Sequence, residues 1–163
     1  MSFLQLKSNN KFICIGLCFI LSFLISCKNY ERSTEAGQLL NVDMTTINQK
    51  IENDETFVMA FTQSFCHHCE TFKQEVLLEY LETHEVYFHE VVVDKQEDMM
   101  DIYAFIEKNP NPEQFITSNE TPTTLLTPTF YFIIEGEVKE TWVGTLDEES
   151  LDKFVVKYKL DAK

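Results

Sequence analysis

Short apolar runs and stretches with helical spacing follow one another along the chain after about residue 38. Residues 56–62 are short and almost wholly apolar, as expected for a strand buried on both faces of a sheet, and residues 86–94 form another candidate strand. Residues 38–42 form a shorter candidate strand. Around these runs, apolar side chains recur every three or four residues, which predicts helices that bury one face. The apolar positions of three such helices are Met44, Ile47 and Ile51, then Phe72, Val76 and Tyr80, then Ile102, Phe105 and Ile106.

The C-terminal part of the chain predicts a hairpin followed by a helix. Residues 129–134 and 137–143 have strand character, and Glu135 and Gly136 between them form a two-residue turn signal. A last amphipathic helix follows, with apolar positions at Leu151, Phe154, Val155 and Tyr158.

Residues 109–126 predict a loop or a short irregular insertion. They contain three of the four prolines and a cluster of Asn, Thr and Glu, which interrupt regular structure. With this loop, the predicted order of elements is β-α-β-α-β-α-β-β-α. Such an order predicts an α/β domain with a central mixed sheet flanked by helices.

The first 26 residues have the features of an export signal. Lys7 and Lys11 supply positive charge, and the apolar run over residues 12–25 is too short for a membrane span of about 20 residues. The run ends in Leu24-Ile25-Ser26-Cys27, which resembles the site where a lipoprotein signal peptide is removed before an acylated cysteine.

This pattern predicts a lipid-anchored protein on the extracytoplasmic face of a cell membrane. We expect residues 1–26 to be removed, Cys27 to carry the lipid, residues 27–37 to contain the tether and residues 38–163 to form the domain. An ordinary secretory signal and an uncleaved anchor remain as alternatives at this stage.

The charge of the chain excludes some partners. The formal net charge is −14, and loss of the two N-terminal lysines takes it to −16. A protein this acidic is not expected to bind nucleic acid, nor to lie flat on an anionic lipid surface.

One pair of cysteines remains for chemistry. Of the five cysteines, Cys14 and Cys18 lie in the export signal and Cys27 in the lipidation site. Cys66 and Cys69 form a Cys-x-x-Cys pair that follows a predicted strand and opens a predicted helix. This arrangement is typical of a redox site that exchanges electrons with other thiols.

The dithiol and the C-terminal elements together resemble the thioredoxin superfamily. Thr127-Pro128-Thr129-Phe130 opens an apolar strand about sixty residues after the dithiol, and the hairpin and terminal helix follow as in that family. The resemblance implies a thioredoxin-like fold over about residues 38–160. It also implies that Pro128 is cis beside the dithiol, and that Thr127 and Pro128 guide extended substrate segments.

A looser likeness concerns the tethered form of the chain. It resembles the small exported thioredoxin-like lipoproteins of Gram-positive bacteria, including proteins labelled bacteriocin transport accessory factors. That likeness implies partners outside the cytoplasm that carry protein thiols or disulfides.

The chemistry of the pair follows from its position. A helix N-terminus favours an anion, so we expect Cys66 to be the nucleophilic thiolate and Cys69 the resolving thiol. Where thioredoxins have Gly-Pro, this chain has His67 and His68, which can stabilise the reduced form. A more stable reduced form makes the disulfide a better oxidant, which favours an oxidase or isomerase over a reductase.

Three other interpretations of the same residues remain open. The cysteines could form an inert structural disulfide. Two thiols and two imidazoles within four residues also suit Cu(I) or Zn, as in a thioredoxin-fold metal chaperone. The domain could instead be a non-catalytic accessory module of an export system. The thiol-exchange interpretation, which we prefer, requires no cofactor and no resident metal.

Overall fold

The computed structural model describes residues 30–162, which contain a five-stranded mixed sheet. The strand order is β1-β3-β2-β4-β5; β1 and β2 run parallel to β3, whereas β4 is antiparallel to both β2 and β5. The predicted central mixed sheet is therefore confirmed. Its strands are β1 (Gln38–Asn41), β2 (Phe57–Thr62), β3 (Tyr87–Val92), β4 (Thr129–Ile134) and β5 (Glu137–Val143).

Four helices connect and follow these strands in the predicted order. Asp43 and Asp147 cap α1 and α4, because their side chains accept hydrogen bonds from the amides of Thr46 and Ser150 over 2.8 and 2.7 Å. The helices are α1 (Met44–Glu52), α2 (residues 67–81), α3 (Met100–Lys108) and α4 (Glu148–Tyr158).

The helices cover both faces of the sheet, as its buried apolar strands predict. On one face, α2 and α4 pack over a cluster that includes Val58, Phe88 and Phe130. On the other face, α1 and α3 pack over a cluster that includes Phe61 and Tyr131. Residues 57–61 of β2 alternate between these two clusters, and all six side chains of the strand are buried.

Helix α2 buries Phe72 and Tyr80 as predicted, but its turns are not uniform. It begins as an α-helix over His67–Phe72, continues as a π-helix over Lys73–Leu77 and returns to α-helix over Leu78–Leu81. The wider π turn shifts the following side chains around the axis. Leu77 is therefore buried in the core, whereas the predicted core residue Val76 is only half-buried.

The predicted hairpin and loop are both confirmed. Glu135 and Gly136 have φ values of 50° and 72°, the left-handed backbone that a tight two-residue hairpin turn requires. A side chain at Gly136 would also collide with the carbonyl oxygen of Ile51, 2.5 Å from the position of an added Cβ. The loop over residues 109–126 contains one 3-10 turn, in which Phe115 packs edge-on against Trp142.

The folded domain begins earlier than the sequence indicated. Arg32 pairs with Ala162 as an isolated bridge, and the Ser33 amide donates to the carbonyl oxygen of Asp161 over 2.7 Å. The Arg32 guanidinium also donates to the carboxylates of Asp152 and Asp161 over 2.6 and 2.7 Å. Part of the segment assigned to the tether is thus fixed against the C-terminus.

The predicted export signal and Cys14, Cys18 and Cys27 lie outside the described residues. Within residues 30–162, every helix is too short or too polar to cross a lipid bilayer.

Candidate active site

The turn after β2 places Cys66 at the N-terminus of α2. β2 ends at Thr62, and the Cys66 amide donates to the Gln63 carbonyl oxygen over 3.2 Å. The Ser64 amide donates to the Asp94 carboxylate over 2.8 Å, and this hydrogen bond lowers the pKa of Asp94. These two contacts fix the turn between the sheet and the helix.

Cys66 and Cys69 are joined by a disulfide bond, with their Cα atoms 5.2 Å apart. Cys66 is the N-cap residue of α2, and its Sγ lies 3.1 Å from the amide nitrogen of Cys69. In the reduced protein, that N–H and the helix dipole favour a thiolate at Cys66. Cys66 is partly exposed and Cys69 is 3 % exposed, so an incoming sulfur atom reaches Cys66 more easily.

The segment before β4 lies beside the dithiol. The Thr127–Pro128 peptide bond is cis, as expected from the resemblance, and the Thr127 carbonyl oxygen lies 3.6 Å from Cys66 Sγ. Because β4 pairs with β2 and Thr129 is opposite Phe61, the start of one strand meets the end of the other. The sheet therefore brings together two segments that are about sixty residues apart.

Phe65, His67 and His68 are neighbours of the two cysteines in the chain and are exposed to solvent. Both histidine side chains are exposed, with ring centroids 6.1 Å apart, and Phe65 is 98 % exposed. The imidazoles are thus accessible to solvent and to an approaching partner. The Phe65 ring, which precedes Cys66 in the chain, is an exposed apolar surface that a bound protein partner could cover.

Sequence reasoning missed three polar residues beneath the dithiol. Glu90 is 2 % exposed, accepts a hydrogen bond from the Thr62 hydroxyl over 2.9 Å and pairs with Lys73 Nζ over 2.8 Å. All three line a pocket that Cys69 also lines. A sequence signal was present, since Glu90 interrupts the apolar run of β3 at a position where burial of an acid is costly.

The remaining histidines lie away from the dithiol contacts. His89 is buried against the Phe57 ring, and its Nδ1 donates to the Val58 carbonyl oxygen over 3.1 Å. His84 stacks on Tyr80 with ring centroids 3.9 Å apart. Within residues 30–162, His, Cys, Asp and Glu side chains form no group of three or more arranged to hold a metal ion.

Known proteins match this chain by structure rather than by sequence. No protein-family model matches the sequence, and no curated protein matches it at a significant level. Among solved structures, thioredoxin from Malassezia sympodialis superposes with a TM-score of 0.53 at 19 % identity, covering 78 % of this chain and 96 % of its own.

Two further thioredoxins from distant organisms agree with this match. Thioredoxin f2 of Chlamydomonas reinhardtii gives a TM-score of 0.52 at 17 % identity, covering 75 % of this chain and 97 % of its own. Thioredoxin from Aeropyrum pernix gives a TM-score of 0.53 at 15 % identity, covering 81 % of this chain and 96 % of its own. The chain therefore has a thioredoxin-like fold.

Proposed function

We propose that this protein is a thiol-disulfide oxidoreductase that acts on thiols or disulfides of other proteins through Cys66 and Cys69. The observation that carries the proposal is the asymmetric disulfide at the N-terminus of α2. One sulfur is accessible and receives an N–H hydrogen bond, while the other is shielded by the fold. A purely structural disulfide across three residues would constrain little chain and gain little stability.

The exchange follows from this asymmetry. When the protein oxidises a dithiol substrate, a substrate thiolate attacks Cys66 Sγ, the disulfide breaks and Cys69 leaves as a thiolate. The second substrate thiol, once deprotonated, attacks the substrate sulfur of the mixed disulfide and releases Cys66 as a thiolate. The substrate leaves with a new disulfide, and its two electrons remain on the cysteine pair.

Thr127 and Pro128 are the proposed substrate contacts. The Thr127 carbonyl oxygen lies close to Cys66 Sγ, so a substrate residue bonded to Cys66 must pass beside this backbone. An extended substrate segment would hydrogen-bond there through its main chain, so binding would depend little on the substrate's side chains. Such binding suits a protein that acts on many different partners.

The direction of electron flow is proposed from His67 and His68. As imidazolium ions or hydrogen-bond donors, they would stabilise the thiolate of Cys66 at the helix N-terminus. Because this stabilises the reduced protein, its disulfide would oxidise substrate thiols, and its reduced form would isomerise substrate disulfides in preference to reducing them.

The location is proposed from the sequence alone. Lipidation at Cys27 would place the domain on the extracytoplasmic face of the membrane, as in the exported lipoproteins that the chain resembles, including bacteriocin transport accessory proteins. Its substrates would then be exported proteins with thiols.

A redox titration tests the proposed activity. The disulfide is equilibrated with glutathione buffers, and thiol exchange with a reduced, unfolded protein is followed in the wild type, Cys66→Ser and Cys69→Ser. We expect a reversible two-electron transition, no turnover with Cys66→Ser and, when Cys69→Ser is given a protein substrate that contains a disulfide, trapped mixed disulfides. An inert disulfide would contradict the proposal. Tight Cu(I) binding without thiol exchange would support the metal-chaperone alternative. A wild-type protein that neither exchanges thiols nor binds Cu(I) would support the alternative of a non-catalytic accessory module.

A further inference from the structure

Gln63 joins the two chain segments that meet at the dithiol. Its main-chain carbonyl oxygen accepts a hydrogen bond from the Cys66 amide over 3.2 Å, within the turn before α2. Its side-chain Oε1 accepts a hydrogen bond from the Thr127 hydroxyl over 3.3 Å, across 64 residues of the chain. The backbone and the side chain of Gln63 are therefore each tied to a different wall of the site.

The two residues that contact Gln63 also contact each other at the accessible sulfur. The Thr127 carbonyl oxygen lies 3.6 Å from Cys66 Sγ. Gln63 also lines the pocket of about 150 Å³ that Cys69 lines. Gln63, Cys66 and Thr127 thus form the rim over which a substrate reaches the disulfide.

The Thr127 hydroxyl occupies only one end of the Gln63 amide group. A glutamine amide has an acceptor oxygen and two N–H donors. Oε1 accepts from Thr127, and within residues 30–162 the Nε2 group donates to no other atom of the protein. Because the Gln63 side chain is exposed, a molecule bound at Cys66 can reach these donors.

The hydrogen bond between Gln63 and Thr127 has a geometric effect. Both partners are accessible to water, so the exchange of one hydrogen bond for another adds little to the stability of the fold. A free glutamine side chain samples many rotamers, and ordering it on binding costs free energy. The Thr127 hydroxyl restricts these rotamers before a substrate arrives.

We propose that Gln63 is a specificity-determining residue that binds the main chain of a polypeptide substrate at Cys66. This inference rests on the proposed function. A substrate segment bonded to Cys66 Sγ passes beside Thr127 and presents the carbonyl oxygens of the residues next to its cysteine. Gln63 Nε2 donates to one of these oxygens while the Thr127 hydroxyl holds Oε1. The contact is a binding interaction and changes no bond between sulfur atoms.

This contact favours polypeptides over small thiols. A small thiol without a flanking chain has no carbonyl oxygen for Gln63 Nε2. Every polypeptide has such oxygens, whatever its side chains, so the contact selects for a polypeptide chain and not for a particular sequence.

The test compares two reductants of the oxidised protein. One is an uncharged, unstructured peptide that contains two cysteines, and the other is dithiothreitol, a dithiol without peptide groups. Acid quenching and alkylation give the second-order rate constant for reduction of the active-site disulfide by each. The ratio of the two constants, peptide over dithiothreitol, removes changes in the reactivity of the disulfide itself.

The variants separate the amide of Gln63 from the hydroxyl that holds it. Gln63→Met has a side chain of similar length without the amide, and Thr127→Val lacks the hydroxyl. The double variant combines both changes. Gln74→Met is the matched control, because Gln74 is also an exposed glutamine, and its side chain donates to Glu70 on the surface of α2.

We expect Gln63→Met to lower the ratio roughly two- to tenfold, the range for loss of one hydrogen bond. Thr127→Val should lower it less, because the amide remains but is no longer held. The double variant should lose no more than Gln63→Met, since the hydroxyl acts through Gln63. The loss should be the same for peptides with Ala, Ser or Val beside the cysteine. The rates with dithiothreitol, and the ratio in Gln74→Met, should equal those of the wild type.

The outcomes distinguish this inference from the proposed function. A wild-type disulfide that exchanges with no peptide would overturn the proposed function itself. If the wild type exchanges with the peptide and Gln63→Met leaves the ratio unchanged, Gln63 does not bind the substrate and the inference is wrong. Equal slowing of both reductants would show that Gln63 acts on the dithiol, and would also overturn the inference.

Three further results would overturn it as well. An equal loss in Gln74→Met would show that the effect is not specific to this glutamine. A loss confined to one side chain beside the substrate cysteine would exclude a main-chain contact. A further loss in the double variant would show that Thr127 does not act through Gln63.

Discussion

The amide nitrogen of Cys69 lies 3.1 Å from Cys66 Sγ, so the shielded cysteine supplies a hydrogen bond to the accessible one. This relationship predicts that the two thiols of the reduced protein differ in acidity. Rates of alkylation measured against pH should give Cys66 an apparent pKa below that of a free cysteine, which is about 8.5. Cys66→Ser, which retains only the buried thiol, should react slowly. Two thiols that titrate together near 8.5 would remove this basis for catalysis.

Replacement of His67 and His68 by Gly and Pro should lower the reduction potential by tens of millivolts. The two exposed imidazoles would stabilise the thiolate, and about 1.4 kcal/mol of lost stabilisation corresponds to about 30 mV in a two-electron couple. Equilibration with glutathione buffers gives the potential. His84→Gln is a control, since that ring stacks on Tyr80. An unchanged potential would mean that the histidines do not set the direction of exchange.

Cys27→Ala should abolish lipidation. The Leu-Ile-Ser-Cys sequence predicts acylation of this residue, so the variant should accumulate as an uncleaved precursor or leave the membrane fraction. Labelling with a fatty-acid probe measures this directly. The control Cys18→Ala changes a cysteine inside the apolar run, and this variant should still be labelled by the fatty-acid probe. Undiminished labelling of Cys27→Ala would exclude the proposed anchor site.

Arg32→Ala should destabilise the domain by about 3 kcal/mol, because it removes the cation from the fully buried Asp161 carboxylate. Arg32 also donates to Asp152, where burial opposes ionisation but the hydrogen bonds lower the pKa. Denaturant unfolding gives the free energy. The control Lys153→Ala breaks an exposed pair, which solvent screens, and should change the free energy of unfolding far less. If the two variants lose similar amounts of unfolding free energy, the contacts of Arg32 contribute little to the stability of the domain.

His89 should make the domain less stable below about pH 6.5. Burial lowers the pKa of this side chain, and the hydrogen bond to Val58 opposes the shift only in part. The unfolded chain therefore binds a proton that the native state resists, so stability is complete above the unfolded pKa and falls as the pH drops toward the native one. Unfolding free energies from pH 8 to 5 should vary less in His89→Gln than in the exposed control His67→Gln. Parallel pH profiles would contradict this assignment.

Most of the secondary structure could be predicted because it depends on local patterns. The apolar run of β2, the helical spacing of Ile102, Phe105 and Ile106, and the turn at Glu135 and Gly136 each indicated the element found. Helix α2 was predicted less well. Its π turn buries Leu77 in the core while Val76 packs against the core from a half-buried position, and a periodicity of 3.6 residues cannot anticipate one wider turn.

The sequence by itself determined which residues could do chemistry, whereas the tertiary structure decided which of them meet. Cys66 and Cys69 form a local motif, so their spacing and their helix N-terminus were accessible from the chain alone. The contact with Thr127 and the position of Glu90 beneath Cys69 depend on β4 and β3 lying on either side of β2. Strand pairing joins residues far apart in the chain, and its register decides which side chains share a face. Local periodicity contains no information about that register.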